Sequence, residues 1–292
     1  SRGITMKKTC FAAIFLLGLL LLSCGFFSNV SFAADDNSIE RIDMDVLIDA
    51  DGTAHIKEIW TASVYQGTEG YRPYGNLYSS KITDFSVSDD LGNRYELQKN
   101  WDTSDTFHRK SGKCGIVYNG DTLELCWGIT EYGRRTYTLT YNITNIINQY
   151  DDAQGLYFSF IPEQMKQNPG SVSVYIHTNM LKLNESNAKI WAYGYPNGTI
   201  TFENGGIRMD SGGSLPSSHY MTALIQFPDR TFSTAVERGG SFDDVHEQAE
   251  KEAITPATIR FYDYLIFAIP FVLLIAAFLI WFIWGHDDKP VD

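Results

Sequence analysis

The chain has 292 residues, a formal net charge of −12 and four cysteines, and 14% of its residues are aromatic. A chain this rich in aromatic residues can bury a sizeable core, so global disorder is not expected. An acidic surface repels nucleic acid and anionic headgroups, so nucleic acid is not an expected partner. The charge suits solubility, cations or basic partners without selecting one of them.

The N-terminal segment has the pattern of an export signal. Two lysines follow Met6, residues 11–22 are apolar, and the small residues Ser31 and Ala33 suit cleavage, which predicts a signal peptide at 6–34. Two alternatives are open. In the first, Cys24 is a lipidation site, because it ends a Leu-Leu-Ser-Cys stretch that resembles the lipobox of bacterial lipoproteins. In the second, the segment is not cleaved and stays in the membrane as an anchor. All three interpretations place the following residues outside the membrane.

Residues 35–240 carry the patterns of a β-rich extracytoplasmic domain. Apolar side chains alternate at 42–48 and 54–64 around a turn at 49–52, which predicts a hairpin, and the alternation is clearest at 134–145. Further strands are predicted at 82–88, 94–98, 115–118, 122–127, 155–160, 171–177, 188–193, 199–202 and 220–227. About ten short strands without helices between them predict an all-β fold, an antiparallel β-sandwich, with a barrel as the alternative.

The segment from Gly67 to Ser80 is rich in glycine and tyrosine and is predicted to be a loop. It places one arginine among tyrosines, a composition that is typical of binding surfaces. Tyr71, Arg72 and Tyr74 are therefore the candidate ligand-binding residues. The alternative is an ordinary surface loop that packs against the domain.

Two cysteines of the folded region lie in one predicted hairpin. If its loop is 119–121, Tyr118 pairs with Thr122 and Cys114 lies directly opposite Cys126. Cross-strand neighbours of this kind are close to disulfide distance, so a Cys114–Cys126 disulfide is predicted. Two unpaired thiols are the alternative, and a two-residue turn would shift the register by one.

The end of the chain predicts a helix followed by a membrane span. Ser241 can cap a helix, and residues 241–261 are predicted to form a juxtamembrane helix and linker with a charged, solvated surface. Residues 264–284 contain no charge and are long enough to cross the ~30 Å core of a bilayer, so one transmembrane helix is predicted at 262–284. The tail, 285–292, is then cytoplasmic, and the chain crosses the cell membrane once.

The sequence contains no motif of a known catalytic or metal site. Its six histidines do not pair at metal-ligand spacing, and it has no HExxH, CxxC, Gly-x-Ser-x-Gly or phosphate-binding Gly-Lys-Ser/Thr motif. The paired acids at 89–90, 151–152 and 243–244 are most simply solvated loop residues. We therefore expect no enzyme activity, no metal and no cofactor.

Several short stretches, in this order, resemble a family of bacterial predicted membrane proteins called domain of unknown function 2207. They are Asp51-Gly52 with Glu58, Gly70 to Pro73, Thr136 to Tyr141, Asp152 to Phe158 and Pro169 to Val174. The resemblance covers roughly residues 39–230 and the membrane span. It implies a signal peptide, a β-rich extracytoplasmic domain, and a membrane helix followed by a longer C-terminal part, of which 286–290 resembles the start. It implies no established activity and no catalytic residue.

Three functions are compatible with these features. The first is a membrane-anchored module that presents aromatic loops to a cell-wall component or another membrane protein. The second is an assembly subunit of a membrane complex, which a large exposed apolar patch would favour. The third is a hydrolase of envelope polymers, which requires a cleft with two converging carboxylates or one with a strongly perturbed pKa.

Overall fold

The computed structural model describes residues 36–253, apart from 76, 121, 164, 196, 217–218 and 234, together with 265 and 268–279. The predicted signal peptide with Cys24 and the predicted tail lie outside the described residues. The strands of the described part are β1 (Ser38–Ile48), β2 (Ala54–Val64), β3 (Glu69–Tyr74), β4 (Ile82–Asp89), β5 (Glu96–Gln98), β6 (Lys113–Asn119), β7 (Thr122–Gly128), β8 (Gly133–Ile143), β9 (Asn148–Gln149), β10 (Gln154–Ile161), β11 (Val172–Thr178), β12 (Lys189–Tyr193), β13 (Thr199–Glu203), β14 (Gly206–Asp210), β15 (Met221–Phe227) and β16 (Val236–Glu237). Its two helices with defined ends are α1 (Phe107–Lys110) and α2 (Phe242–Glu252).

The largest sheet has seven strands in the order β13-β14-β11-β1-β2-β8-β4. Its central strands alternate between buried and outward positions because successive side chains of a strand point to opposite faces. The predicted hairpin at its centre is confirmed, with Ile42 of β1 opposite Trp60 of β2. The buried face of this sheet forms one side of the main core.

Two smaller sheets form the other side of the core. One has the order β12-β15-β10-β9-β16 and the other β3-β7-β6-β5. The ring of Trp127 on β7 lies 5.4 Å from that of Trp60 on β2, and Leu156 and Phe160 of β10 belong to the same core. The fold is therefore mostly β and sandwich-like, as predicted. It is not purely antiparallel, because the pairings β1–β11, β5–β6 and β9–β16 are parallel.

The helix predicted after Ser241 is present as α2. The Ser241 hydroxyl accepts a hydrogen bond from the Asp244 backbone amide at 3.2 Å, and the Asp244 carboxylate accepts one from the Ser241 amide at 3.3 Å. This reciprocal cap satisfies two amides that the first turn leaves unpaired. Phe242 and Ala249 are buried against Leu224 of the five-stranded sheet. The helix is therefore packed onto the β-domain along one face, whereas the sequence predicted only a solvated surface.

The predicted membrane span, 262–284, lies only partly within the described residues. Residues 268–279 are helical, and their large apolar side chains are exposed. Among the residues that the structure describes, no helix has both the length and the apolar character needed to cross a bilayer. The span stays a prediction.

The predicted register of the cysteine hairpin is wrong by one residue. Asn119 pairs with Thr122 across a two-residue turn, so Cys114 lies opposite Trp127 and Cys126 lies opposite Gly115. A shift of one residue moves a side chain to the other face of the sheet. The two sulfurs therefore point to opposite faces, and both cysteines are buried free thiols in this structure.

We expect both thiols to resist alkylation in the folded protein at pH 8 and to react once urea unfolds it. Burial raises the pKa of Cys114 to about 11, and burial followed by the charge of Glu69 raises the pKa of Cys126 even further. Only a thiolate is a strong nucleophile. Peptide mass spectrometry after iodoacetamide treatment measures this. Labelling of the unfolded chain that requires a reductant would instead show a disulfide.

Candidate functional site

Arg72 is a fully buried cation that joins the three sheets. It lies on β3, and its Nε donates a hydrogen bond to Glu58 Oε1 of β2 at 3.2 Å. One terminal nitrogen donates to the Pro73 carbonyl at 2.7 Å, and the other donates to the Phe160 carbonyl of β10. The guanidinium carbon also lies 4.3 Å from the centre of the Tyr74 ring. One side chain therefore links the four-stranded sheet to both of the others.

Glu58 is the buried carboxylate that balances this cation. Its second oxygen accepts a hydrogen bond from the Trp60 indole at 2.6 Å, and the first also accepts one from the Tyr141 hydroxyl. Burial, followed by the charge of Glu58, raises the pKa of Tyr141 well above its ordinary value, so its hydroxyl stays protonated and donates. The Tyr74 and Tyr141 hydroxyls also share a hydrogen bond. A buried charge is tolerated where it is paired and hydrogen-bonded in this way.

An open space, which we call the seam cleft, lies beside the end of β3, the loop that follows it, and β10. It has a volume of about 400 Å³ and is lined by residues of the segments 74–80, 145–148, 157–163 and 220–222 and by Arg238. β9 pairs only with the first two residues of β10, so the rest of that edge of β10 is not covered by a strand of its own sheet.

Five aromatic side chains contribute to the lining of the seam cleft. Tyr74 lies at its base, where its ring packs 6.2 Å from that of Phe158 and its hydroxyl joins the buried network. Tyr78 is 79% exposed, and Tyr157 and Tyr220 also line the cleft. Burial, followed by the charge of Glu252, raises the pKa of Tyr157, so the end of α2 influences a residue of the lining. These rings supply a rigid contact surface with polar edges.

Arg238 is the one cation among the described residues of the lining, and Glu163 is the one carboxylate. The Arg238 Nε donates a hydrogen bond to the Asn148 side-chain oxygen at 2.9 Å, and its guanidinium lies 6.0 Å from the Tyr78 ring centre. Within the described ranges, no three side chains of His, Cys, Asp or Glu come together in a way that could hold a metal ion. The arrangement therefore provides aromatic contact and one fixed positive charge.

The structure separates the three candidate residues predicted from the sequence. Their segment is not a loop up to Tyr74, because β3 pairs with β7 and places Arg72 opposite Leu125. Arg72 and Tyr74 are both buried, and their role in ligand binding stays a prediction. Tyr74 lines the base of the seam cleft, and the buried guanidinium of Arg72 packs against the Tyr74 ring. Tyr71 is half-buried and is not among the lining residues of the cleft.

Sequence reasoning missed two features of this site. Glu58 occupies an inward position in the alternating pattern of β2, between Ile56 and Trp60, and a charge there requires a buried partner. That signal pointed to a buried cation such as Arg72. No comparable local signal marks Arg238, because the cleft is assembled from segments far apart in the chain.

The similar solved structures are remote. A candidate protease from Parabacteroides distasonis has a TM-score of 0.36 and 13% identity, with 68% of this chain and 41% of that chain covered. Leukotriene A4 hydrolase from Saccharomyces cerevisiae has a TM-score of 0.41 and 8% identity, with coverages of 65% and 29%. A candidate nutrient-binding protein from Legionella pneumophila has a TM-score of 0.40 and 9% identity, with coverages of 66% and 67%. The chain thus spans less than half of the first two, and none of these similarities carries an argument about function.

No curated protein matches the chain. A family model does match, over residues 38–227, and its description is the N-terminal domain of a predicted membrane protein, DUF2207. The match begins at the first residue of β1 and ends at the last residue of β15, so it contains every strand of the three sheets except β16, and most of the seam cleft. It confirms the resemblance inferred from the sequence motifs. The chain therefore belongs to the DUF2207 family of predicted membrane proteins, and residues 38–227 correspond to the N-terminal domain of that family.

Proposed function

We propose that this domain is an extracytoplasmic binding module held at a membrane, and that the seam cleft is its ligand site. The observation that carries the proposal is the aromatic cleft itself. Its volume of about 400 Å³ falls within the range of small-molecule sites, and such sites combine apolar and aromatic walls with a few placed polar groups. A component of the cell wall or a segment of another membrane protein is the ligand class that we favour.

The buried network beneath the cleft supports this proposal. Tyr74 at the base is held by Tyr141, which in turn is held by Glu58. A wall whose side chains are already fixed loses little conformational entropy when a ligand binds. The cleft is therefore organised before a ligand arrives. The predicted export signal at 6–34 supports an extracytoplasmic location.

The composition of the cleft favours binding over hydrolysis. Glycoside hydrolysis by the usual mechanism uses two carboxylates about 5–9.5 Å apart. Among its described lining residues the cleft has Glu163 alone. We therefore keep an envelope-polymer hydrolase as the less favoured function.

Binding can be tested with the full chain in neutral detergent micelles. We expect a dose-dependent rise in melting temperature with at least one member of a panel of cell-wall glycan fragments, peptides and headgroup analogues, because a ligand of the native state stabilises it. Tyr78→Ala should weaken the binding about tenfold or more, since tyrosine is a common anchor of binding surfaces. Tyr118→Ala is the matched control, because Tyr118 is 70% exposed and lies in the β6–β7 hairpin, outside the cleft.

Two results would contradict the proposal. Binding that is insensitive to Tyr78→Ala but lost in Tyr118→Ala would place the ligand site elsewhere. No thermal shift with any member of the panel would favour the assembly-subunit function, in which this domain packs against other subunits of a membrane complex.

A further inference from the structure

The guanidinium of Arg238 is held in place by protein groups that leave most of its donors unused. Its backbone amide donates to the Gln149 carbonyl at 3.0 Å, directly after β16 pairs with β9. Its Nε donates to Asn148, and its guanidinium lies beside the Tyr78 ring. These contacts hold the side chain at the cleft, and its two terminal nitrogens form no hydrogen bond with a residue of the described part of the chain.

Arg238 also lacks an acidic partner within the described part of the chain. It forms no ion pair with a described carboxylate, including Glu163, which shares the lining of the cleft. Several other exposed arginines, such as Arg134 with Glu40, are paired, whereas exposed Arg94 also forms no ion pair with a described residue. Arg238 differs from Arg94 in that it lines the seam cleft. The planar guanidinium matches the geometry of a carboxylate or a phosphate, to which it can donate two parallel hydrogen bonds.

We propose that the seam cleft binds an anionic ligand, with the terminal nitrogens of Arg238 bound to its carboxylate or phosphate group and the tyrosine rings in contact with its adjoining ring or chain. This inference rests on the proposed binding function and specifies its ligand class. An acidic sugar of the cell wall and the headgroup of an anionic lipid both present such oxygens. The shared requirement is an anionic group next to a part that can lie against Tyr78.

The test uses matched probe pairs with the full chain in neutral detergent micelles. N-Acetylmuramic acid and N-acetylglucosamine differ by a lactyl group that carries a carboxylate, and glycerol 1-phosphate and glycerol differ by a phosphate. We expect the anionic member of at least one pair to bind tenfold or more tightly than its neutral counterpart, as measured by thermal shift against concentration. A preference in the first pair points to a cell-wall acid, and one in the second pair points to a lipid headgroup.

Variants separate a charge effect from a structural one. Arg238→Gln should remove the preference for the anionic probe and leave the affinity for the neutral probe unchanged. Glu163→Gln should strengthen anionic binding several-fold, because it removes the one carboxylate of the lining. Arg109→Gln is the control, since Arg109 is also largely exposed but lies on α1, outside the cleft.

The outcomes distinguish this inference from the function on which it rests. Equal binding of the anionic and neutral probes would overturn the anionic ligand class and leave the binding module standing. An equal loss of both probes in Arg238→Gln would also overturn the inference, because it would make Arg238 a structural residue. No binding of any probe or panel ligand would overturn both proposals.

Discussion

Replacing Arg72 by methionine is expected to lower the free energy of unfolding by about 3–5 kcal/mol. The substitution leaves the Glu58 carboxylate buried at 0% exposure without its cation, and it also removes the donor to the Phe160 carbonyl. Because whole domains are stable by only about 5–15 kcal/mol, this loss is a large fraction of the total. Urea unfolding of the full chain in detergent measures it as a shift of the midpoint, provided that the slope is unchanged.

Two controls show whether the buried charge is the cause. The double variant Glu58→Leu with Arg72→Met should be more stable than Arg72→Met alone, because it leaves no unpaired charge in the core. The exposed pair Arg134–Glu40 offers the matched comparison, and Arg134→Met should leave the urea midpoint almost unchanged, because solvent screens an exposed pair. Equal effects of Arg72→Met and Arg134→Met would contradict the role that we assign to the buried network.

Replacing Phe242 by alanine should release α2 from the β-domain. The ring of Phe242 is fully buried, and it packs 5.7 Å from the ring of Tyr150 and 5.9 Å from that of Trp191. Gly155 makes room for it, since a Cβ there would lie 2.7 Å from a ring carbon of Phe242. Removal of a buried phenylalanine costs about 3–5 kcal/mol. We expect this cost to lower the stability of the packing between α2 and the β-domain. Hydrogen exchange over 242–252 should therefore become much faster.

The control for this prediction is Glu247→Ala on the same helix. Glu247 is exposed and pairs only with Lys251, one turn further along α2, so its loss should cost about 0.5 kcal/mol or less. Unchanged protection of α2 in Phe242→Ala would contradict the assignment of Phe242 as its anchor.

The local patterns of the chain were sufficient to predict much of its secondary structure. The hairpin of β1 and β2 and the long strand β8 are predictable because a half-buried strand alternates with period two. The start of α2 is predictable because a serine cap and acidic residues in the first turn are local signals. The stretches that resemble the DUF2207 family could also be recognised in the sequence, and the match of the family model confirms that resemblance.

The tertiary structure alone decided the pairings and the site. β1 lies parallel to β11, with Val46 beside Ile176, a contact between residues far apart in the chain that no local pattern records. The β6–β7 register depends on a turn one residue shorter than expected, and that single residue separates Cys114 from Cys126. Arg72 was predicted to lie on a binding surface because its neighbours are typical of one, but pairing of β3 and the buried Glu58 place it in the core. Alternation and capping act between near neighbours and can therefore be recognised in the sequence, whereas a cleft lined by distant segments exists only after distant strands have paired.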